Sequence, residues 1–365
     1  MRIGFVWTGF TSYMADCWRE LASRPGVVLK IWIEEKRKSD TAFDVTKVMY
    51  GLDFGWDYSD QITDIELRVA ESEIKAFRPD ILFICGWSME LPPFIAKSEA
   101  LRNVPKILCC DMPWEWKLRK FAARFALWRH LRRFRKIMVP GARAARYARW
   151  LGFKREDIIL GEYGIDVARF AKSQERSSNH RKGFVFAGRL VDAKGIRTLA
   201  VAYSRYRSEF KGDDKPWNLD VYGIGPEKKW LDGIDGVRVH GFAHPEELSR
   251  IYANAGAFVL ASEWDPWPLV LLESAAAGLR IICTENCWNR YELVRGNGIA
   301  VKAGDSQVLA EAMLNISRVA SSAEAMAVKE HAERVDGELG RELAKPYSCE
   351  VWADRVIMEA EKCIA

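Results

Sequence analysis

The sequence predicts an α/β protein built from two doubly wound parallel sheets. Three observations predict it. Short, fully apolar runs alternate with segments of helical spacing, the pattern of a sheet covered on both faces. The alternation breaks once, in the polar stretch AKSQERSSNHRK, and then restarts. The 365 residues exceed one ordinary domain, taken as roughly 150 residues.

Each element follows from its residues. Ile3 to Trp7 is a short apolar run read as the first strand, and Ser12 to Ala22 has helical spacing. Val27 to Ile33 is a second strand, and Ile65 to Phe77 a helix leading into a strand at Asp80 to Cys85. Lys106 to Cys110 and Lys136 to Val139 are further strands. After the break near Tyr163 to Asn179 come strands at Gly183 to Ala187, Asn218 to Tyr222, Val237 to Val239, Ala257 to Leu260 and Arg280 to Cys283. Cys349 to Ile364 has the spacing of an amphipathic helix. No apolar run approaches the ~20 residues that span a bilayer. The opening MRIGFVWTGF reads as a strand and a turn, not as a signal peptide, so the expected location is the cytosol.

Charge is distributed unevenly. Lys117 to Arg155 holds 14 Lys and Arg and no Asp or Glu, leaving 41 basic against 50 acidic residues elsewhere. One local patch therefore carries the whole net charge of +5, which points to a local anionic partner. The eight cysteines form no Cys-x-x-Cys pair backed by a second, and several sit in strand-like runs. Reduced, buried thiols are expected, and no metal site.

The second half holds three chemically loaded segments. In FVFAGRLVDAKG a strand runs into Gly188 and Arg189, and Lys194 follows at the start of a helix. A helix N-terminus with an Arg and a Lys suits a diphosphate; solvated charges on a strand–loop–helix would look the same. In VYGIGPE, Gly223 and Gly225 follow a strand and precede a helix-starting proline. They lack the third glycine of a dinucleotide fingerprint, which argues against NAD. In LASEWDPWPLVLLESAAAG, Asp265 and Glu273 are separated by seven residues, placing both carboxylates near one helix start. They suit sugar and ribose hydroxyls, or a plain helix-cap role.

In this order and spacing, the three segments resemble the C-terminal domain of family 4 retaining glycosyltransferases of the GT-B fold. Gly188-Arg189-Leu190 with Lys194-Gly195, Gly223-Ile224-Gly225-Pro226, VRVHGFAHPEEL from Val237 and the Asp265-to-Glu273 element carry the resemblance, together with Tyr163-Gly164-Ile165-Asp166. It covers residues 135 to 300 well and the first third by topology only. The resemblance implies two Rossmann-like domains with a cleft between them, an acceptor domain at 1–168 and a nucleotide-sugar domain at 169–345. The segment 346–365 would cross back to the first domain. It also implies glycosyl transfer with retention from a UDP- or GDP-linked sugar. Such enzymes use no divalent metal and no further cofactor, because cationic side chains and a helix terminus do that work.

Carried across residue by residue, Arg189 and Lys194 neutralise the donor diphosphate and Glu273 binds the ribose hydroxyls. His240, Gly241 and Phe242 edge the base, partly through backbone groups, and the loop Asp265, Trp267, Pro268, Leu269, Val270 holds the sugar. Gly9 is the one glycine of the N-terminal loop, WTGFTSYM, that the family usually makes glycine-rich. Asp265 stands where the family usually has Glu. Pro268 stands where it usually has Gly, so a backbone N–H contact to the sugar is lost or replaced. In the first half, Asp111 of KILCCDMPWEW is the nearest polar candidate to accept a proton from the acceptor hydroxyl, or it caps a turn.

In KLRKFAARFALW, Leu118, Phe121, Ala122, Phe125 and Trp128 fall on one helical face, with Lys117, Arg119, Lys120 and Arg124 around it. Arg129, Arg132 and Arg133 extend the basic surface. The helix suits an anionic membrane surface or a glycolipid acceptor, and equally a packed helix with a solvated Arg face. No nucleic-acid module accompanies it. The expectation is a glycosyltransferase peripheral on the inner face of the plasma membrane, adding sugar to a polysaccharide or lipopolysaccharide precursor. A catalytically inactive scaffold of the same fold, or a polyanion binder using 117–155, stands as the alternative.

Overall fold

The computed structural model describes residues 1–9, 11–34, 49–55, 62–115, 117–171, 182–211, 215–317 and 336–365. These form two compact units, Met1–Asp166 with Tyr347–Ala365, and Val167–Pro346. The residues 172–181 of the polar stretch lie outside the described residues.

The first unit is a seven-stranded parallel sheet: β1 (Arg2–Thr8), β2 (Val28–Glu34), β3 (Phe54–Gly55), β4 (Ile81–Cys85), β5 (Lys106–Cys109), β6 (Lys136–Val139) and β7 (Ile158–Leu160). Its order is β3-β2-β1-β4-β5-β6-β7. The second unit is a six-stranded parallel sheet: β8 (Phe184–Ala187), β9 (Leu219–Tyr222), β10 (Val237–Gly241), β11 (Ala257–Leu260), β12 (Arg280–Thr284) and β13 (Gly298–Val301). Its order is β10-β9-β8-β11-β12-β13. Both sheets are doubly wound. The direction of winding reverses between β1 and β4 in one, and between β8 and β11 in the other. At such a reversal the connecting segments diverge and leave a crevice beyond the carboxyl ends of the strands.

Aromatic packing holds each sheet to its helices. Phe5 stacks on Phe83 with ring centroids 4.9 Å apart, beside the buried Trp18 and Trp352. The C-terminal helix Cys349–Ile364 packs on the helix Ser12–Ala22, and Trp352 Nε1 donates to the Glu162 carbonyl at 2.8 Å. In the second unit the hydroxyl of Tyr203 donates to the Trp217 carbonyl at 3.0 Å, and that of Tyr206 accepts from the Trp217 amide at 2.7 Å. These contacts satisfy the polar tips of two large buried side chains. All eight cysteines are free thiols, seven buried and Cys85 half-buried.

The structure differs from the sequence reading around Lys117. The expected single helix is two, Leu118–Ala126 and Trp128–Leu131. The apolar face is also turned outward: Leu118 is 90% exposed, Phe125 72% and Trp128 47%. Packing instead uses Phe121, set edge-on to Trp114 at 5.3 Å and to Trp150 at 5.1 Å. Lys120, expected on the solvated basic face, is only 2% exposed. Its ammonium donates to the Pro113 carbonyl at 2.5 Å, pairs with Glu115 at 3.0 Å and lies over the Tyr147 ring. The four-carbon stem runs along aromatic surface and the charge is satisfied at its tip, which accounts for the burial.

Candidate active site

The carboxyl ends of β8, β9 and β11 gather the motif residues. Gly188 and Arg189 follow β8, and the loop Ser262 to Pro268 follows β11. Close backbone approach explains the glycines. A Cβ on Gly223 would stand 1.9 Å from the Gly188 carbonyl oxygen, one on Gly225 2.3 Å from that of Leu190, and one on Gly195 1.9 Å from that of Ala261. Backbone bonds run through these contacts: Gly188 N–H to Tyr222 at 2.9 Å and Leu190 N–H to Ile224 at 2.8 Å. Gly223 and Gly225 thus dock their loop against the Arg189 loop, a structural role the sequence does not reveal.

Lys194 ends a short 3-10 turn, Asp192–Lys194, just before the helix Ile196–Glu209. Its ammonium donates to the Asp265 carboxylate. Both are largely buried. The Asp265 loop is fixed from several sides. The Asp265 N–H donates to Asn286 at 3.1 Å, the Trp288 N–H to the Asp265 carbonyl at 3.1 Å, and Asn289 Nδ2 to the Pro268 carbonyl at 2.8 Å. Arg189 is exposed and has no carboxylate partner among the described residues.

Pro268 is the N-cap of the helix Leu269–Ala276, in an extended conformation. It leaves no N–H to offer at that point, but its carbonyl accepts from Leu271 N–H at 3.1 Å. Along this helix Leu269, Val270 and Glu273 are half-buried while Leu271, Leu272 and Ser274 are buried, so Glu273 shares the open stripe with Leu269 and Val270. Its carboxylate lies close enough to Tyr252 to add to the rise that burial imposes on that phenol's pKa. Trp267 is buried. The His240 ring is committed elsewhere: its Nε2 lies 2.6 Å from Asp220 Oδ1, and it stacks on Tyr222 at 4.6 Å. The His240 backbone lies beside Gly241 and the half-buried Phe242.

The first unit has its own cavity of about 340 Å³ at the carboxyl ends of β1, β4 and β5, lined by Thr8, Tyr13, Cys85, Trp87, Asp111 and Tyr163 among others. Asp111 opens into it. Protein crowds its carboxyl on the remaining sides, and that desolvation raises its pKa while a hydrogen bond from Tyr163 opposes the rise. Beneath lies a residue the sequence reading missed. Glu162 is 1% exposed, and burial first, with the Asp111 charge second, pushes its pKa well above the carboxylate range. In the sequence it sits in the loop-like LGEYG, and only the tertiary fold buries it. Gly9, in the left-handed region at φ 77°, closes β1 by donating to the Glu34 carbonyl at 3.1 Å.

On the basic segment Lys117, Arg124, Arg129, Arg132 and Arg133 are exposed. Arg129 and Arg132 lie over the Trp128 ring at 5.5 and 5.6 Å. The side chain of Arg119 lies outside the described residues. His130 is buried against Phe134, and desolvation first, then nearby cations, pulls its pKa down to about 4.

Residues 181–318 match the family model of group 1 glycosyl transferases. The matched residues include the loops that follow β8, β9 and β11. Glycogen synthase of Mycobacterium tuberculosis is 30% identical over 171 residues, which are 44% of this chain and 40% of that protein. A putative colanic acid biosynthesis glycosyltransferase of Escherichia coli, WcaL, is 24% identical over 208 residues, 53% of this chain and 50% of that protein. The matched stretch thus spans half or less of these relatives. Among solved structures, a glycosyltransferase from Rickettsia africae superposes with a TM-score of 0.76 at 11% identity, covering 100% of this chain and 98% of that one. HepE of Anabaena in complex with UDP and glucose gives 0.70 at 11% identity, covering 99% and 100%. The fold is GT-B.

Proposed function

We propose that the chain is a glycosyltransferase that moves a sugar, with retention, from a UDP- or GDP-linked donor to a glycan or glycolipid acceptor without a divalent metal. The observation that carries this is the Lys194–Asp265 pair, with an exposed Arg189 on the same loop as Lys194, at the strand-order reversal of the second unit. An anion can use Lys194 only by displacing its carboxylate partner. The diphosphate takes over Lys194, and Arg189 binds it bidentately as charge develops on the leaving group. Asp265, released from the lysine, accepts from sugar hydroxyls, and Glu273 accepts from the ribose. Asp111 takes the proton of the acceptor hydroxyl in the first unit.

Thermal unfolding with UDP, GDP, ADP, dTDP or NAD in the presence of EDTA tests the reading. A nucleoside diphosphate at 100 times its dissociation constant adds about 2.7 kcal/mol to stability, and a shift with UDP or GDP is expected. No shift with any of them overturns the donor site and favours a scaffold.

The acceptor precursor is reached from an anionic membrane surface, to which the protein binds peripherally on the inner face of the plasma membrane. Leu118, Phe125 and Trp128 protrude among Lys117, Arg124, Arg129, Arg132 and Arg133, pairing apolar insertion with attraction to anionic headgroups. No helix among the described residues is long and apolar enough to cross a membrane. Co-sedimentation with phosphatidylglycerol vesicles should be strong and weaken with salt. Replacing Leu118, Phe125 and Trp128 together by serine should cut it by at least ~10-fold, since each buried side chain contributes roughly 1.5–3 kcal/mol. Equal binding to phosphatidylcholine vesicles contradicts this surface.

A further inference from the structure

The cavity of the first unit has a chemistry of its own. At about 340 Å³ it sits at the small end of ligand pockets, room for one ring-sized ligand. Trp7, Trp87, Tyr13 and Tyr163 put aromatic rings in its lining, and Thr8, Ser88 and Asp111 put hydrogen-bonding groups there. Among the described residues, no Lys, Arg or His lines it. The basic residue whose field reaches Asp111 is Lys120, and its ammonium is spent on Pro113 and Glu115. Below the wall, both carboxyl oxygens of Glu162 are buried, with the Cys110 backbone as their hydrogen-bonding neighbour. Two carboxyl groups and no cation form a poor seat for an anion. Aromatic faces with a few polar acceptors are a good one for a ring that has C–H faces and hydroxyl edges.

We infer that this cavity binds a single uncharged sugar ring, with a hydroxyl on Asp111, and rejects sugars that carry a carboxylate or a phosphate. The sugar's role as acceptor rests on the glycosyltransferase reading; its binding does not.

Saturation-transfer NMR on the full chain tests this with methyl glycosides of gluco, galacto and manno configuration, each beside its uronic acid and its 6-phosphate. At least one neutral glycoside should bind. Its two anionic counterparts should bind about tenfold more weakly, the effect of one like charge several ångströms away. Asp111→Asn, which keeps an acceptor oxygen and removes the charge, should narrow that gap to within roughly threefold. Glu162→Gln should leave the neutral sugar's binding unchanged, since Glu162 does not line the cavity. An acidic sugar that binds as tightly as its neutral partner overturns the inference, and so does a panel in which no neutral glycoside binds. Both results come from the native chain, whatever the folding of the variants. Nucleoside diphosphate shifts in the same preparation separate the two readings. A shift without sugar selectivity sinks only the subsite, and sugar selectivity without a shift sinks only the donor site.

Discussion

Lys194→Ala should lower glycosyl transfer by roughly 10²- to 10³-fold, the usual loss when one preorganised charge-stabilising donor is removed. The same change should destabilise the second unit. Asp265 is 7% exposed and its carboxylate would lose its counter-charge, a loss that costs about 3 kcal/mol when one partner of a buried pair is deleted. The two effects separate in the double variant Lys194→Ala, Asp265→Asn. Neutralising the stranded carboxylate should restore most of the melting temperature and leave transfer low. Arg189→Ala isolates the same chemistry without the packing penalty. Arg189 is exposed and without a carboxylate partner among the described residues, so its loss should leave melting unchanged while transfer falls. Transfer that returns with stability in the double variant would show that Lys194 acts only as a structural tie. Unchanged turnover in Arg189→Ala would remove the second half of the clamp.

How much of this was legible beforehand depends on where the information resides. Strands such as β8 and β11 are short apolar runs buried on both faces, so composition alone marks them. Three strands escaped: β3 is two residues long, β7 is three, and the edge strand β13 is only partly buried, too little pattern for period or composition to register. The second unit's motifs were legible because they are local, a strand end and the helix start beside it. Their assembly was not. Lys194 and Asp265 lie 71 residues apart in sequence, and it is the order β8 beside β11 that brings them together. The helix Leu118–Ala126 went wrong for a related reason. Its apolar period is real, but Trp114 and Trp150 chose Phe121 as the contact, and the rest of the stripe faces out. Glu162 was invisible because an acid between two glycine-bearing turns reads as solvated until a C-terminal helix more than 180 residues away covers it, with Trp352 on its carbonyl.

The glycine that holds Lys194 opposite Asp265 provides the second large effect. Gly195 has φ 64° and sits against Ala261, its absent Cβ only 1.9 Å from that carbonyl oxygen. Alanine there meets two penalties. The left-handed conformation costs roughly 1–2 kcal/mol for a residue with a Cβ. The overlap with backbone cannot be relieved by a rotamer, so the Lys194 turn must move away from the β11 loop. Gly233→Ala is the matched control, since Gly233 has φ 79° and nothing within 4 Å of its Cβ position. Gly233→Ala should therefore lose about 1 kcal/mol, whereas Gly195→Ala should lose 4 kcal/mol or more, the range reserved for strain with no way out. Because the Glu263 and Trp264 amides donate to the Ala193 carbonyl across the same contact, the displacement pulls Lys194 and Asp265 apart as well. Denaturant unfolding of both variants measures the difference. Equal losses would mean that the two loops slide freely, and that the ammonium and carboxylate meet by side-chain reach instead of by a backbone seam that glycine alone permits.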